Sequence, residues 1–141
     1  WQSQMKKLGN WEQNLADFLE ESMSIPFEWG TWDCCIFSDF AIKAMTGKTV
    51  IPKELKWKNE KEAKKAIKSY GGSTLLKAML KACKAKGLKT VDLAYVRKGD
   101  LVVYKEESQL VGISTGYNIV SPSGDGLAFK NNDLAIKAWR I

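Results

Sequence analysis

The chain has 141 residues, of which 45% are hydrophobic and 11% aromatic, and its formal net charge is +6. This length and composition predict a globular protein with a core of its own and exclude the disordered class. The three cysteines, two of them adjacent, exclude a disulfide framework and favour a reducing compartment. No apolar run approaches the ~20 residues that cross a bilayer, so we expect neither a membrane span nor a signal peptide.

The first element predicted along the chain is a helix from Trp11 to about Met23, capped by Asn10, because apolar residues recur there at helical spacing. Residues 1–4 precede Met5-Lys6-Lys7, which looks like a natural start. We therefore expect residues 1–4 to be an expression remnant and residues 5–141 to form a single domain.

The central stretch, residues 26–47, predicts an aromatic loop followed by a buried helix. Thr31 and Asp33 are candidate N-caps, which put Cys34 in the first helical turn. Backbone N–H groups and the helix dipole favour a thiolate there and lower the thiol pKa. Cys34 is therefore a candidate nucleophile. The alternative is that Cys34 and Cys35 are small buried apolar residues.

Helices continue to Gly87. Gly47 is the expected C-cap of the central helix, and residues 48–58 are expected to be irregular, with an exposed Trp57. Two further helices are predicted, Glu60–Tyr70 capped by Asn59, and one that Ser73 caps, that runs through Leu75 and Cys83 and that Gly87 closes. Cys83 shares a helical stripe with apolar residues and is expected in the core.

Strand-like runs replace the helical periods after Gly87, with turn residues between them. The predicted strands cover residues 88–93, 100–104, 110–115, 117–120, 127–129 and 136–141. Helices followed by a meander of short antiparallel strands indicate an α+β fold, in which the central helix packs on the C-terminal sheet.

Positive charge is concentrated between Lys53 and Lys89, where twelve lysines stand against three glutamates. Such a segment can bind nucleic acid or another acidic partner. The alternative is a solvated surface on two lysine-rich helices. No arginine occurs in the segment, which disfavours sequence-specific base recognition.

Several short motifs, in their order and spacing, together resemble the NlpC-type cell-wall cysteine peptidases, a papain-like superfamily of peptidoglycan hydrolases and amidases. The motifs are Trp29-Gly30, Asp33-Cys34, Lys98-Gly99-Asp100-Leu101 and Leu110-Val111-Gly112-Ile113. The chain is similar to a phage and prophage branch encoded among tail-tip genes. The resemblance implies a papain-like fold, tail proteins or peptidoglycan fragments as partners, and a protein that is cytoplasmic during assembly and then part of the virion tail.

The resemblance also assigns site residues. Cys34 stands at the nucleophile position, Leu110 at the position of the catalytic histidine, and Asn118 or Ser121 at that of the third polar group. The chain contains no histidine at all. A histidine in this chemistry removes the thiol proton and protonates the leaving amine, and leucine can do neither. The resemblance therefore predicts an NlpC-like protein that is catalytically degenerate.

Three functions remain open from the sequence. The first is a module of a phage tail that has a structural role or binds the cell wall or a peptide, with Trp29 and Trp32 lining a cleft beside Cys34. The alternative for both tryptophans is that they simply pack in the core. The second is an active cysteine hydrolase that uses Cys34 with an unconventional base. The third is a basic protein that binds nucleic acid or an acidic partner. No cofactor is implied, and the acidic residues lack the spacing of metal ligands.

Overall fold

Four helices precede a six-stranded antiparallel sheet in residues 5–141, the part of the chain described by this computed structural model. The expression remnant expected at residues 1–4 lies outside the described residues. The helices are α1 (Trp11–Ser22), α2 (Cys34–Thr46), α3 (Glu60–Gly71) and α4 (Leu75–Ala85). The strands are β1 (Lys89–Val91), β2 (Leu101–Lys105), β3 (Gln109–Ser114), β4 (Ile119–Ser123), β5 (Gly126–Lys130) and β6 (Ala135–Arg140). The predicted α+β class is confirmed.

The sheet has the strand order β1-β6-β2-β3-β4-β5. Strands β2 to β5 form the expected meander, and Leu101 pairs with Ile113 in the β2–β3 hairpin. The last strand does not extend the meander at its edge. Instead β6 inserts between β1 and β2, where Trp139 pairs with Thr90 on one side and Leu101 on the other.

The central helix α2 contacts α1 on one side and strands β3 and β4 on the other. Eight of its thirteen residues are buried, including Phe37, Ala41 and Met45 with no exposed surface. Gly47 ends the helix in the left-handed conformation at φ 80°, where a residue with a Cβ would be strained. The predicted position of Cys34 in the first turn and of Gly47 at the C-cap are both confirmed.

The two sides of the sheet carry two apolar clusters, because alternate strand residues point to opposite sides. Leu101, Val103, Val111 and Ile113 join the main core formed with the helices. On the other side, Val102, Tyr104, Ile119 and Ala138 form a smaller buried cluster. Cys83 is fully buried in the main core, as expected.

Two helix caps differ from the sequence predictions. Thr74, not Ser73, caps α4, since its hydroxyl accepts from the Lys77 N–H at 3.2 Å. Asn10 lies at the N-cap position of α1 but its side chain makes no capping bond. It hydrogen-bonds the Asn14 side chain instead. Asn59 caps α3 as predicted, accepting from the Glu62 N–H at 2.9 Å.

Predicted boundaries in the sheet were also partly wrong. Pro122 and Ser123, expected in a turn, belong to β4, and Pro122 pairs with Leu127 of β5. The turn is thus reduced to Gly124 and Asp125. The strand expected over residues 88–93 is only three residues long, because the chain turns into a 3₁₀ helix at Leu93–Tyr95.

Candidate functional site

Asp33 fixes the backbone around Cys34. Its Oδ1 accepts from the Ile36 N–H at 3.0 Å, which is the N-cap bond of α2. Its Oδ2 accepts from the Gly30 N–H at 3.0 Å and from the Trp57 indole Nε1–H at 2.6 Å. The exposed position expected for Trp57 is therefore wrong: this half-buried indole ties the loop after α2 back to the start of that helix.

The Cys34 side chain is 7% exposed at the start of α2. A hydrogen bond from the Cys35 thiol lowers the pKa of Cys34, and bonds to the backbone of Val111 and Cys35 lower it further, against burial and the nearby Asp33 carboxylate. The same hydrogen bond, together with burial, raises the pKa of Cys35 well above its usual value. Cys34 is thus the sulfur of this pair that ionises first, and Cys35 retains its proton.

Tyr104 on β2 is a buried polar residue in the smaller cluster that the sequence did not single out. Its hydroxyl forms a short, buried hydrogen bond with the Ser121 hydroxyl on β4. Burial raises the pKa of Tyr104 to about 12, against the hydrogen bond with Ser121, which lowers it. Alternation along β2 puts Tyr104 on the side of Val102, but only the pairing of strands shows its neighbours.

Leu110 pairs directly with Tyr104 across the β2–β3 ladder. The half-buried Leu110 side chain packs against the main core, which contains Cys34, and also against the smaller cluster, which contains Tyr104. Its position opposite the Cys34 sulfur stays a prediction.

The two candidates for the third polar group lie in different surroundings. Ser121 is buried beside Tyr104. Asn118 lies in the turn between β3 and β4, where its Oδ1 accepts from the Thr115 hydroxyl at 2.5 Å and its carbonyl accepts from the Thr115 N–H at 2.9 Å. The Asn118 amide oxygen is therefore engaged in the turn, whereas Ser121 shares a layer of the sheet with Tyr104.

Both tryptophans of the proposed cleft make aromatic packing contacts. Trp32 stacks on Phe40 with ring centroids 5.9 Å apart, and meets Phe37 edge-on at 5.8 Å. Its indole nitrogen is buried and has no hydrogen-bond partner among residues 5–141. Trp29 meets Phe27 edge-on at 5.1 Å. A ligand-binding role for either tryptophan stays a prediction.

The Gly-Asp motif before β2 has a structural role. Asp100 is fully buried, and its Oδ1 accepts from the Arg140 Nε–H at 2.8 Å. Its Oδ2 accepts from the Arg97 N–H at 2.9 Å. This pair joins the start of β2 to the end of β6, so it stabilises the insertion of the last strand.

A protein-family model matches nearly the whole chain. The model of the family described as "Domain of unknown function (DUF6950)" matches residues 6–141. The chain belongs to the DUF6950 family. No curated protein matches it.

The described part of this DUF6950 domain holds no group of three or more His, Cys, Asp or Glu side chains arranged for a metal ion. Between residues 5 and 141, no helix has both the length and the apolar character needed to span a membrane. The lysine-rich segment from Lys53 to Lys89 comprises a loop, α3 and α4. Its binding of an anionic partner stays a prediction.

Proposed function

We propose that this DUF6950 domain is an NlpC-like protein without catalytic activity that serves as a structural or peptide-binding module of a phage or prophage tail. The observation that carries the proposal is a buried cysteine at the start of the central helix in a chain that contains no histidine. The position that the resemblance assigns to the histidine holds Leu110, paired with Tyr104.

The chemistry of amide cleavage explains why this arrangement disfavours catalysis. The base must take the proton of the Cys34 thiol and later give a proton to the leaving amine. Hydrogen bonds lower the pKa of Cys34 and so assist the first step. They supply no group that can carry the proton to the amine. Loss of one member of such a catalytic unit costs orders of magnitude in rate.

The hydrolase alternative needs a proton donor, and the structure offers the buried phenol of Tyr104, which is hydrogen-bonded to Ser121. A phenol with a pKa of about 12 is protonated at neutral pH. It can donate a proton to a leaving group but cannot accept one from the thiol. Tyr104 could fulfil at most half of the histidine's task, and it belongs to the cluster on the other side of the sheet from the core that contains Cys34, so we rank the hydrolase second.

Thiol alkylation against pH tests this ranking. Burial raises the pKa of Cys83 to about 12, and the pKa of Cys35 lies well above its usual value. Because iodoacetamide reacts with thiolates, its reaction should report on Cys34 alone. The Cys34→Ala variant gives the background rate. We expect a modestly lowered thiol pKa and no new amines released from peptidoglycan. A thiolate pKa well below 6, or amine release that Cys34→Ala abolishes, would make the protein an enzyme.

Leu110→His restores the imidazole at the assigned position. We expect this variant to alkylate faster than the unmodified protein at neutral and lower pH, because an imidazolium stabilises the thiolate. The matched control is Leu127→His, the same change in a half-buried leucine of edge strand β5. Near-UV circular dichroism must first show that both variants are folded. Equal rates in the two variants would mean that Leu110 does not face the sulfur.

The binding role needs its own measurement. Purified cell-wall sacculi and muropeptides should bind the protein, or a tail complex should retain it, and Cys34→Ala should leave either association unchanged because neither uses the thiol as a nucleophile. Absence of both associations would reject the module while leaving the enzymatic result intact.

A further inference from the structure

A cavity of about 620 Å³ lies between α2 and the loop over residues 49–58, and none of Cys34, Leu110, Tyr104 or Ser121 lines it. This volume is within the range of small-molecule sites, about 300–1,000 Å³. One wall of the cavity is formed by α2, whose lining residues lie three, four and seven positions after Ile36 and therefore share one face of the helix. The residues of that wall are Ile36, Asp39, Phe40 and Lys43.

Both ends of the loop are fixed to the α2 region, so the cavity is formed in advance of any ligand. At one end the Asp39 carboxylate accepts from the backbone N–H groups of Val50 at 2.6 Å and Ile51 at 3.2 Å. At the other end the Trp57 indole donates to Asp33. The loop between these anchors stands away from α2 and encloses the space.

The interior of the cavity is mainly apolar. Its apolar lining consists of Ile36, Phe40, Ile51, Pro52, Leu55 and Trp57. Phe40 is 47% exposed, which is unusual for a phenylalanine on a helix that is otherwise largely buried. An apolar ligand body would cover this surface and gain the free energy of removing it from water.

The charges around the cavity are strongly unequal. Four lysines line it, Lys43, Lys53, Lys56 and Lys58, and none of their ammonium groups forms an ion pair within residues 5–141. The two carboxylates that line it already accept backbone hydrogen bonds: Asp39 from the loop, and Glu62 from the Lys58 N–H at 3.0 Å. The four ammonium groups outnumber the two carboxylates, so the net charge of the lining is positive.

We propose that this cavity binds a small amphipathic organic anion, with its apolar body against Phe40, Leu55 and Trp57 and its carboxylate or sulfonate group among the lysines. The site is separate from Cys34, so the inference goes beyond the proposed function. A polyanion such as nucleic acid would use the lysines but leave the apolar interior empty, and a neutral apolar ligand would leave the lysines unpaired.

Two dyes with the same ring system test the chemistry directly. 8-Anilinonaphthalene-1-sulfonate carries the anionic group, and N-phenyl-1-naphthylamine is its neutral counterpart. We expect the sulfonate to bind the folded protein with a stoichiometry of one and about tenfold more tightly than the neutral dye, because several lysines lie near one opening. Equal affinities, or several equivalent sulfonate sites, would overturn the proposal.

Charge-reversal variants then locate the site. Lys53→Glu combined with Lys56→Glu should weaken sulfonate binding about tenfold and leave the neutral dye unaffected. Lys61→Glu combined with Lys65→Glu makes the same charge change at exposed residues of α3 outside the cavity, and should alter neither dye. If both pairs weaken the sulfonate equally, net charge rather than the cavity attracts it, and the proposal is wrong.

Two further measurements do not depend on those variants. In ¹⁵N spectra the sulfonate dye should shift the indole signal of Trp57, which lines the cavity, and leave that of Trp139, which lies elsewhere, in place. The reverse pattern would overturn the assignment. A single-stranded DNA oligonucleotide should not displace the sulfonate dye. If the oligonucleotide displaces the dye, and both double lysine-to-glutamate variants bind the DNA more weakly, the lysines form a surface for polyanions and the proposal is refuted.

Discussion

Replacing Asp33 by alanine should destabilise this protein far more than removal of an ordinary helix cap. The Asp33 side chain accepts three hydrogen bonds, from Ile36, Gly30 and Trp57, and the residue is only 1% exposed. The first bond caps α2, and the other two hold the loops on either side of that helix. Asp33→Ala therefore removes one cap and leaves two further donors without an acceptor.

The magnitude follows from these three bonds. Loss of an N-cap side chain costs about 1 kcal/mol. Each buried donor left without a partner costs about 1–3 kcal/mol, and the lower part of that range, about 1–2 kcal/mol, applies because the Gly30 and Trp57 donors are only partly buried. We expect the free energy of unfolding to fall by roughly 3–5 kcal/mol in Asp33→Ala, a large part of the roughly 5–15 kcal/mol typical of a domain. Asn59→Ala is the matched control, since Asn59 is exposed and accepts the single N-cap bond of α3. It should cost about 1 kcal/mol.

Urea unfolding followed by circular dichroism measures both variants. Trp57→Phe removes only the indole donor, so the double variant with Asp33→Ala completes a thermodynamic cycle. The coupling energy should lie within the 0.5–3 kcal/mol seen for contacting residues, about the upper half of that range. If Asp33→Ala costs no more than Asn59→Ala, or the cycle shows no coupling, the two loop bonds do not contribute and the argument is refuted.

Two further predictions concern the sheet and the loop anchor. A Cβ on Gly112 would lie 2.6 Å from the Val120 carbonyl oxygen, so Gly112→Ala should lower the free energy of unfolding in urea by about 1–3 kcal/mol. The control Gly124→Ala has open space around it and should be neutral within about 0.5 kcal/mol. Similar costs for the two variants would show that β3 and β4 are not this close. Burial raises the pKa of Asp39, so the folded protein binds the proton of this carboxyl group more tightly than the unfolded chain does. The stability that this proton contributes is present at low pH and is lost as the pH rises through the folded-state pKa. Wild type should therefore lose stability relative to Asp39→Asn, which keeps Oδ1 for both backbone donors, as the pH rises from the unfolded-state pKa near 3.8 through the raised folded-state pKa, and a constant difference would contradict this.

The sequence by itself determined the local structure around the candidate nucleophile. Capping is a contact over three residues, so Asp33 and Asn59 could be recognised from their neighbours alone. Gly47 is required by the left-handed backbone at the end of α2. Helical periodicity likewise predicted that Cys83 is buried. These features depend on intervals of a few residues, although the same kind of signal misplaced the cap of α4 at Ser73 and predicted a capping bond from Asn10 that does not form.

Only the tertiary structure decided which distant residues meet. Tyr104 and Ser121 are seventeen residues apart, and Asp33 and Trp57 twenty-four. Their contacts depend on strand pairing and on the path of a loop, which leave no periodic signal in the sequence. The insertion of β6 between β1 and β2 and the cavity beside α2 are decided in the same way. Such features form where helices, strands and loops that are distant in the sequence pack together. Many different pairings of these elements would bury a similar apolar area, so only the complete fold determines which pairing forms.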